Sequence, residues 1–271
     1  MKIHILRTRN SETVPKLVKH MKKCEESYEH PEENCFVVNY GRLTDKAHLN
    51  NNLVCNKFRQ LLTLKTKGIN VPEVVECNPK VVTKLPRKHI NFYLPQNVFP
   101  LMARKKKHFK GNDIIFLKTR KSLWKRLERV SNRDFLVKYI PKEAEFRVHV
   151  LGDEVPNICQ KVPSENTTDH HPHVWCSPRG WTLTNYDGEH AEALADLGKR
   201  ATKALGYDFG AVDIGLGKDG EFYVFEINSA PRLNRTRRRF YARYFRQEEK
   251  KYRKKLKEEN NDANREHGEG Q

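Results

Sequence analysis

Two apolar segments near the C-terminal end, GAVDIGLG and EFYVFEIN, are joined by the short polar stretch KDG. Their length and their β-branched and aromatic content predict the two antiparallel strands of a hairpin. Each strand nevertheless contains polar residues, Asp213 in the first and Glu226 and Asn228 in the second. Polar groups within buried strands are costly unless they have partners. These three residues therefore constrain both the fold and the role of the hairpin.

The register of this hairpin brings the polar residues together. A two-residue turn at Asp219-Gly220 would set Asp213 directly opposite Glu226, with Cβ atoms about 5 Å apart. Asn228 lies two residues beyond Glu226 and therefore shares its face of the sheet. The opposite face is the predicted core side, and it carries Val212, Ile214, Leu216, Tyr223, Phe225 and Ile227.

Two carboxylates that face each other repel strongly unless a cation lies between them. A site with only oxygen ligands suits Mg²⁺ or Mn²⁺, and substrate phosphates complete the coordination. The alternative is a solvent-facing strand edge on which water separates the charges. The sequence is therefore compatible with two alternatives, a metal site that binds phosphates or a hydrated strand edge.

The charge balance favours anionic partners. Of 271 residues, 52 are Lys or Arg and 34 are Asp or Glu, which gives a formal net charge of +18 at pH 7. Such an excess is typical of proteins that bind nucleic acid, acidic protein tails or phosphate ligands, although a merely basic surface has the same composition. The length is sufficient for one large α/β domain or two small ones.

The cysteines and the apolar content indicate the cellular compartment of the protein. Six cysteines are scattered without a CxxC pair, which predicts free thiols in a reducing compartment. The N-terminal MKIHILRTRN is too short and too polar for a signal peptide, and no run of about 18 apolar residues occurs. These features predict a cytoplasmic protein that does not enter a membrane.

The order of elements indicates an open α/β arrangement. Residues 2–6 and 35–39 have the pattern of short buried strands, with a helix between them. Residues 58–65 and 188–205 have the pattern of amphipathic helices. Between these helices, a hairpin that turns at Gly152-Asp153 is predicted.

The stretch GAVDIGLGKDGEFYVFEINSAPRL resembles the metal-binding end of ATP-grasp domains, where an Asp, a Glu and an Asn on two strands hold magnesium on nucleotide phosphates. It is most similar to RimK-like carboxylate–amine ligases, such as those that extend ribosomal protein tails with glutamate. The resemblance implies that Asp213, Glu226 and Asn228 are ligands of Mg²⁺, with Mn²⁺ as an alternative ion.

The same resemblance implies an α/β (α+β) chain with the ATP-grasp fold, in which two α+β subdomains grip the nucleotide. Residues 1–51 would form a small N-terminal α/β domain and residues 52–233 the nucleotide-binding and catalytic domain. Residues 234–271 would form a basic helical tail, disordered from about Asn260. The resemblance covers nearly all of residues 52–233, through four segments in the order of the family.

The basic segment ARKKKHFKGNDII occupies the place of the family's first phosphate loop, in which a glycine follows a cation on a strand after seven positions. Arg104 and Gly111 have that spacing. The resemblance implies that the guanidinium neutralises phosphate charge and that the glycine lets backbone N–H groups approach the phosphates.

The segment FLVKYIPKEAEFRVHV resembles the hinge between the two subdomains. The backbone of Lys138, Tyr139 and Ile140 would then contact adenine, and Glu143 would hold the ribose. The family often has Glu where this chain has Lys138.

Three further cations take catalytic roles by the same resemblance. Arg147 matches the arginine that stabilises charge on the transferred phosphoryl group or the tetrahedral intermediate, although an ion pair with Glu145 is the plain structural alternative. Lys161 matches a cation near the γ-phosphate. Arg232 departs from the family pattern and is expected either to contact an anionic substrate or to face solvent.

The resemblance implies an ATP-dependent, ADP-forming ligase that joins an unknown carboxylate to an unknown amine through an acyl-phosphate. An ATP-grasp kinase and a nucleic-acid-binding protein with a non-catalytic ATP-grasp fold remain alternatives. The acceptor would be a peptide, a protein with an acidic tail or a nucleic acid. No feature of the sequence indicates an oligomeric state.

Two other segments have residue patterns that suggest a function. Residues 163–187 are predicted to form a loop, and its His170, His171, His173 and Cys176 match none of the usual zinc spacings, so a lid or acceptor-recognition loop is favoured. The tail RTRRRFYARYFRQEEKKYRKKLK interleaves cations and aromatic residues, as single-stranded nucleic-acid binders do. An amphipathic helix packed through its aromatic residues explains the same pattern.

Overall fold

Three β-sheets organise the chain. The computed structural model describes the protein except residues 9–10, 22, 32–34, 43, 52, 55, 76–77, 87–88, 90–93, 95, 107–113 and 269–271, and of residues 262–268 it describes only the backbone. The first sheet is parallel, in the order β2-β1-β3. Its strands are β1 (Lys2–Arg7), β2 (Cys24–Ser27) and β3 (Cys35–Tyr40), and helix α1 (Thr13–Val18) follows β1.

The predicted β-α-β start is confirmed, with one additional strand. Strand β2 has the sequence CEES, which is mostly polar and largely half-buried. Since it carries no alternation of apolar residues, the sequence pattern did not reveal it.

The second sheet is antiparallel, in the order β4-β7-β5-β6. Its strands are β4 (Val74–Val75), β5 (Leu101–Arg104), β6 (Ile115–Leu117) and β7 (Phe135–Lys138). The short helices around it are α3 (Pro79–Val82), α4 (Arg120–Trp124) and α5 (Leu127–Ser131). They close its core through Val82, Leu123 and Val130.

The third sheet is antiparallel, in the order β10-β9-β8-β11-β12. Its strands are β8 (Lys142–Leu151), β9 (Glu154–Pro163), β10 (Trp181–Asn185), β11 (Phe209–Gly217) and β12 (Phe222–Asn228). Helices α2 (Lys57–Thr66) and α6 (Ala191–Ala204) pack on one face of this sheet. The other face lines the cavity described below.

The hairpin β11–β12 pairs Asp213 with Glu226 as predicted, but through a different turn. The backbone N–H of Gly217 donates to the carbonyl of Glu221 at 2.9 Å, so the loop has three residues rather than two. Gly220 takes the left-handed conformation that such a loop requires, with φ of 79°.

A β-bulge at Phe225 restores the predicted register. Nearer the turn, Ile214 pairs with Val224, one residue out of step with the pairing of Asp213. The extra residue also corrects the predicted faces of β12, because Val224 packs in the core whereas Phe225 lines the cavity. Tyr223, on the other side of Val224 along the strand, is also absent from the core described for this sheet.

Strand β10 lies within residues 163–187, where a loop was predicted. It pairs along β9 from Trp181↔Pro163 to Asn185↔Cys159 and forms the edge of the sheet. An edge strand has one neighbour and needs little apolar sequence, which is why its pattern was weak.

Helix α7 (Arg235–Gly268) packs against the N-terminal sheet through a core that includes Tyr241 and Phe245. This confirms the interpretation of the tail as an amphipathic helix. The helix continues beyond Asn260, where disorder was predicted, because no Gly or Pro interrupts residues 235–267. Ion pairs four residues apart, such as Lys254–Glu258 at 3.5 Å, add to it.

Within the described ranges, no helix is both long enough and apolar enough to cross a bilayer.

The cysteines that the structure describes, Cys24, Cys35, Cys159 and Cys176, are free thiols, as predicted.

Candidate active site

A cavity of about 920 Å³ lies between the second and third sheets. Its lining includes Met102 and Val137 from the second sheet and Arg147 and Asp213 from the third. This volume is at the upper end of the range of about 300–1,000 Å³ that is typical of ligand pockets.

Strand register determines which residues of the third sheet share the face that lines the cavity. Cys159, Arg147, Asp213 and Glu226 are directly opposed on the adjacent strands β9, β8, β11 and β12, and so form one row. Directly opposed residues point to the same face of a sheet. With strands about 4.8 Å apart, this reactive row spans roughly 14 Å.

A second row runs beside it on the same face, two residues along each strand. It consists of Asn157, His149, Ala211 and Asn228. His149 is fully buried, and its Nδ1 lies 3.0 Å from the hydroxyl of Tyr241. Burial lowers the pKa of His149 far below its ordinary value, and the nearby Arg147 charge adds to this, so the ring is neutral.

Asp213 is the centre of charge in the reactive row. Arg147 donates two hydrogen bonds to it, from Nε to Oδ1 at 2.7 Å and from Nη2 to Oδ2 at 2.9 Å. Lys161 Nζ lies 3.5 Å from Oδ2. Burial alone would raise the pKa of Asp213, but the charges of Arg147 and Lys161 outweigh it and hold the pKa below its ordinary value. Asp213 is therefore ionised.

Glu145 links one further cation, Lys142, to this centre through Lys161. It accepts hydrogen bonds from Lys161 and Lys142 on its two oxygens. Burial opposes the charge of Lys161, but Asp213 and Glu145 together raise its pKa. Burial dominates at Lys142 and lowers its pKa.

Glu226 is held by two cations from outside its own sheet. Lys57 donates a hydrogen bond to its Oε2, and Arg104 Nη2 lies 3.5 Å from the same oxygen. Burial lowers the pKa of Arg104, although Glu226 and Glu145 partly offset this. Residues from α2 and β5 thus meet a carboxylate of β12 across the cleft.

Lys57 was not identified from the sequence, although a signal was present. It is the first residue of α2, after the capping residue Asn56, where the helix macrodipole disfavours a cation. A lysine at that position suggests an anionic partner outside the helix, and Glu226 is that partner.

The described lining carries a strong excess of positive charge. Three of its side chains are acidic, namely Glu145, Asp213 and Glu226. Eight are cationic, namely Lys57, Arg104, Lys138, Lys142, Arg147, Lys161, Arg232 and Arg237. This balance suits a polyanionic ligand such as a nucleoside triphosphate.

The predicted metal ligands fit a hard divalent cation by their chemistry. Asp213 and Glu226 supply carboxylate oxygens on paired positions, and Asn228 lies on the same face of the sheet. The Nδ2 of Asn228 is buried and finds no hydrogen-bond partner among the described residues. The amide nitrogen cannot ligate a cation, but the Oδ1 of the same side chain is an oxygen of the kind that Mg²⁺ prefers.

The predicted hinge residues line the cavity, but two of their backbone N–H groups already form hydrogen bonds within the protein. The N–H of Lys138 donates to the backbone carbonyl of Glu73 at 2.8 Å, and that of Tyr139 donates to the backbone carbonyl of Pro100 at 2.9 Å. Ile140 also lines the cavity. Adenine contacts at Lys138 and Tyr139 would therefore use their carbonyl groups rather than their N–H groups.

Glu143 does not fit its predicted contact with the ribose. It is exposed and does not line the cavity, whereas its neighbours Lys142 and Glu145 do. The irregular pairing of β8 with β11 near Gly217 lets Lys142 turn inward, so that Glu143 points elsewhere.

The remaining predicted site residues differ in how well their positions match their predicted roles. Arg232 lines the mouth of the cavity, but its side chain is 77% exposed and lies 3.3 Å from Glu12. Gly111 lies outside the described residues. Arg147 forms its ion pair with Asp213 rather than with Glu145.

The His- and Trp-rich segment closes one side of the cavity. His173 stacks on Phe116 at 3.6 Å between ring centroids, and its Nδ1 lies 3.2 Å from the Tyr139 hydroxyl. Trp175 stacks on Trp181 at 4.0 Å. In the part of the chain that the structure describes, no group of three His, Cys, Asp or Glu side chains is placed to hold a metal.

No model of a known protein family matches the sequence. The structure matches the D-alanine–D-alanine ligase from Bacillus anthracis with a TM-score of 0.63 and 15% identity, over 87% of this chain and 89% of that one. It matches the ATP-grasp ligase PsnB, complexed with minimal precursor, Mg and ADP, with a TM-score of 0.59 and 15% identity, over 86% and 90%. The N5-carboxyaminoimidazole synthetase from Staphylococcus aureus, complexed with ADP, matches with a TM-score of 0.59 and 11% identity, over 85% and 70%.

Other alignments are shorter, and the chain then spans about half of the solved protein, as for PsnB with its minimal precursor at 54%. At these identities the likeness establishes the fold. The chain has the ATP-grasp fold, which confirms the prediction from the sequence. The narrower similarity to RimK-like ligases stays a prediction.

Proposed function

We propose that the protein is an ATP-dependent carboxylate–amine ligase that forms an acyl-phosphate and releases ADP and phosphate. The observation that carries the proposal is the reactive row, in which Arg147, Asp213 and Glu226 lie side by side in a cationic cavity of an ATP-grasp fold. A protein that only binds nucleic acid has no need of two opposed carboxylates, because their repulsion must be neutralised.

In the proposed reaction, a carboxylate oxygen of the first substrate attacks the γ-phosphorus of ATP, the bond from that phosphorus to the bridging oxygen breaks, and ADP leaves. The amine nitrogen of the second substrate then attacks the acyl carbon. The carbon–oxygen bond to phosphate breaks, the nitrogen loses a proton, and an amide forms. The protein contributes alignment and charge neutralisation rather than a nucleophile of its own.

The cations of the cavity form two groups with different proposed roles. Arg104 reaches Glu226 from the second sheet and Lys57 reaches it from the start of α2, and both would bind phosphate oxygens of ATP. Arg147 and Lys161 surround Asp213 and would stabilise charge on the transferred phosphoryl group. Mg²⁺, when bound by Asp213, Glu226 and Asn228, would neutralise the phosphate oxygens and orient them for transfer.

A kinase is the nearest alternative, because it would use the same residues and stop after phosphoryl transfer. The two activities differ in whether an amine is required. We therefore propose to measure ADP release by the full chain with Mg²⁺ and ATP, over pools of carboxylic acids, with and without pools of amines. Release that requires both pools supports a ligase, whereas release with one acceptor pool alone indicates a kinase.

A large anionic acceptor is proposed from helix α7. Its exposed cations recur every three or four residues on one face, at Arg235, Arg239, Arg243, Arg246, Lys250, Lys254 and Lys257. This basic stripe begins beside Asn234, which lines the cavity, and runs for about 33 Å. An acidic protein tail or a nucleic acid could lie on the stripe while its reacting group enters the cavity.

A further inference from the structure

Strand β10 forms one edge of the third sheet, and its outer side is open. The N–H of Tyr186, just after β10, donates to the carbonyl of Ile158 at 2.9 Å, so the even-numbered residues of this segment bond to β9. Because residues alternate along a strand, the backbone N–H and C=O groups of Leu183 and Asn185 point away from β9. Among the described residues, no other element forms a hydrogen bond with these groups.

The opposite edge of the same sheet, strand β12, is closed by the protein itself. The N–H of Val224 donates to the carbonyl of Asn70 at 2.9 Å, and Asn70 Nδ2 donates to the carbonyl of Phe222 at 3.0 Å. The side chain of Gln60 donates to the carbonyl of Ile227 and accepts from its N–H, each at 3.2 Å. Native proteins usually pair, cover or charge the edges of their sheets. In the part of the chain that the structure describes, this sheet follows that rule at β12 and departs from it at β10.

The sequence of β10 does not protect the open edge. Residues 180–186 are GWTLTNY and contain neither a charged residue nor a proline, whereas 32% of the whole chain is charged. Lysine and proline are the residues that commonly keep other strands from pairing with an exposed edge. The aromatic and β-branched residues of β10 favour a pleated partner instead. The edge therefore has the chemistry of a surface that accepts a further strand.

An extended polypeptide is the partner that fits, because a polypeptide main chain supplies alternating N–H donors and C=O acceptors. A second copy of this chain is disfavoured, since each copy carries a net charge of +18 and like charges repel. The same charge attracts a segment with acidic residues.

The Asn185 end of β10 also leads towards the basic stripe of α7. Asn185 Oδ1 accepts from Asn157 Nδ2 of β9 at 3.2 Å. Three residues nearer the start of β9, Glu154 lies 3.3 Å from Arg243 of the stripe. An acidic segment that leaves the edge at this end therefore meets further cations.

The open edge is in register with the reactive row. Asn185 pairs with Cys159, which ends that row. A strand added to β10 would lie about 19 Å from Asp213, which is four strand spacings away. About six extended residues span this distance. The added strand would therefore be a flanking segment of the acceptor, and its reacting group would come from residues beyond that segment.

We infer that the outer edge of β10 binds an extended, acidic segment of a polypeptide acceptor as a sixth strand of the third sheet. The role in acceptor recognition rests on the proposed ligase activity, whereas the binding itself requires no turnover. Alternate side chains of the segment would lie beside Trp181 and Leu183, which line the cavity, and the others beside the exposed Thr182 and Thr184. Alternating apolar and acidic residues suit these two faces.

The test measures fluorescence anisotropy of a labelled peptide in which Val and Glu alternate, without ATP. The same sequence with every backbone nitrogen methylated and a labelled thymidine oligonucleotide are the comparison ligands. The full chain is compared with Asn185→Pro, which removes one outward N–H, and with the matched control Asn185→Ala, which keeps it. Proline is tolerated on an edge strand where the missing N–H faces solvent, and thermal melting followed by circular dichroism checks that each variant is folded.

We expect Asn185→Ala to bind the unmodified peptide within about twofold of the wild type, and Asn185→Pro to bind it about 3- to 10-fold more weakly, as for the loss of one hydrogen bond. The methylated peptide should bind the wild type at least about tenfold more weakly, because it cannot donate to the edge. Oligonucleotide binding should be the same in all three proteins. Equal binding of the two peptides by the wild type, or no binding of either, would overturn the inference even if Asn185→Pro does not fold.

Two further measurements separate the remaining outcomes. In sedimentation at the assay concentrations, a wild-type dimer that Asn185→Pro dissociates would assign the edge to a second copy and overturn the inference, whereas an unchanged state in this variant supports it. If no pool of carboxylic acids and amines supports ADP release, the ligase proposal fails. Peptide binding that Asn185→Pro and methylation both weaken would still support the site on β10.

Discussion

Asp213 shows how one residue can be both a structural and a functional centre. It is 4% exposed, and Arg147 and Lys161 surround it. Replacing it with Asn would keep the shape but leave Arg147 without its counter-charge, and Lys161 with Glu145 as its remaining carboxylate partner. In the wild type these three charges stabilise one another, so the site is ordered before a ligand binds.

We expect Asp213→Asn to lower the free energy of unfolding by about 3 kcal/mol at pH 7, because breaking a buried ion pair leaves an uncompensated charge. The control Asp196→Asn removes an exposed pair with Arg200 and should cost less than about 0.5 kcal/mol. Urea denaturation followed by circular dichroism measures both variants.

The pH dependence of this difference has a definite sign. The pKa of Asp213 in the folded protein lies below its ordinary value of 3.8. The ion pair therefore contributes fully above that value, and its contribution is lost as the pH falls through the folded pKa. The gap between wild type and Asp213→Asn should shrink below pH 3.8. A gap that is negligible at pH 7, or that widens in acid, would contradict this account.

At the scale of elements, the basic stripe of α7 is the feature with the clearest test. We expect the triple variant Arg239→Gln, Arg243→Gln and Arg246→Gln to bind polyanions more weakly than the wild type. The logarithm of the affinity for duplex DNA should also depend less steeply on the logarithm of salt concentration, by about 0.9 for each phosphate contact that is lost.

The matched control is the triple change of Lys199, Arg200 and Lys203 to Gln, which removes three exposed cations from α6. Fluorescence anisotropy with labelled duplex DNA and with labelled poly-glutamate compares the two proposed acceptor classes. If both triple variants lose affinity equally, the net charge rather than the stripe is responsible.

Sequence pattern was sufficient for elements whose information is local. The pairing of Asp213 with Glu226 followed from a turn and two apolar strands, although the three-residue loop and the bulge at Phe225 were not foreseen. The two shifts cancel at Asp213, since each displaces the register by one residue. Turn chemistry alone does not distinguish a two-residue loop from a longer loop with a compensating bulge.

Contacts between distant elements were the part that the sequence did not provide. Lys57 meets Glu226 across 169 residues, and Arg237 meets Cys159 across 78. Glu143 was assigned to the ribose by the resemblance, as an acid near the hinge, and it lies at the start of β8, where the pairing with β11 is irregular. Such positions depend on tertiary packing, which periodicity does not encode.

In the molecule as a whole, the three sheets have different roles. The second and third sheets enclose the cavity, and the N-terminal sheet shares its core with α7. The helix that carries the basic stripe is thereby fixed to the body of the protein, and its first turn reaches the cavity through Arg237. The domain boundaries at residues 51 and 233 stay a prediction.

We propose that the opposed carboxylates on β11 and β12 bind a divalent metal together with ATP. Calorimetric titration with ATP, in Mg²⁺ and in a chelator, tests it most directly, on the wild type, Glu226→Gln and the exposed control Glu221→Gln. We predict magnesium-dependent binding by the wild type and the control, weakened at least tenfold in Glu226→Gln. Binding that is unaffected by Mg²⁺ or by Glu226→Gln, or no binding by the wild type, would contradict the account.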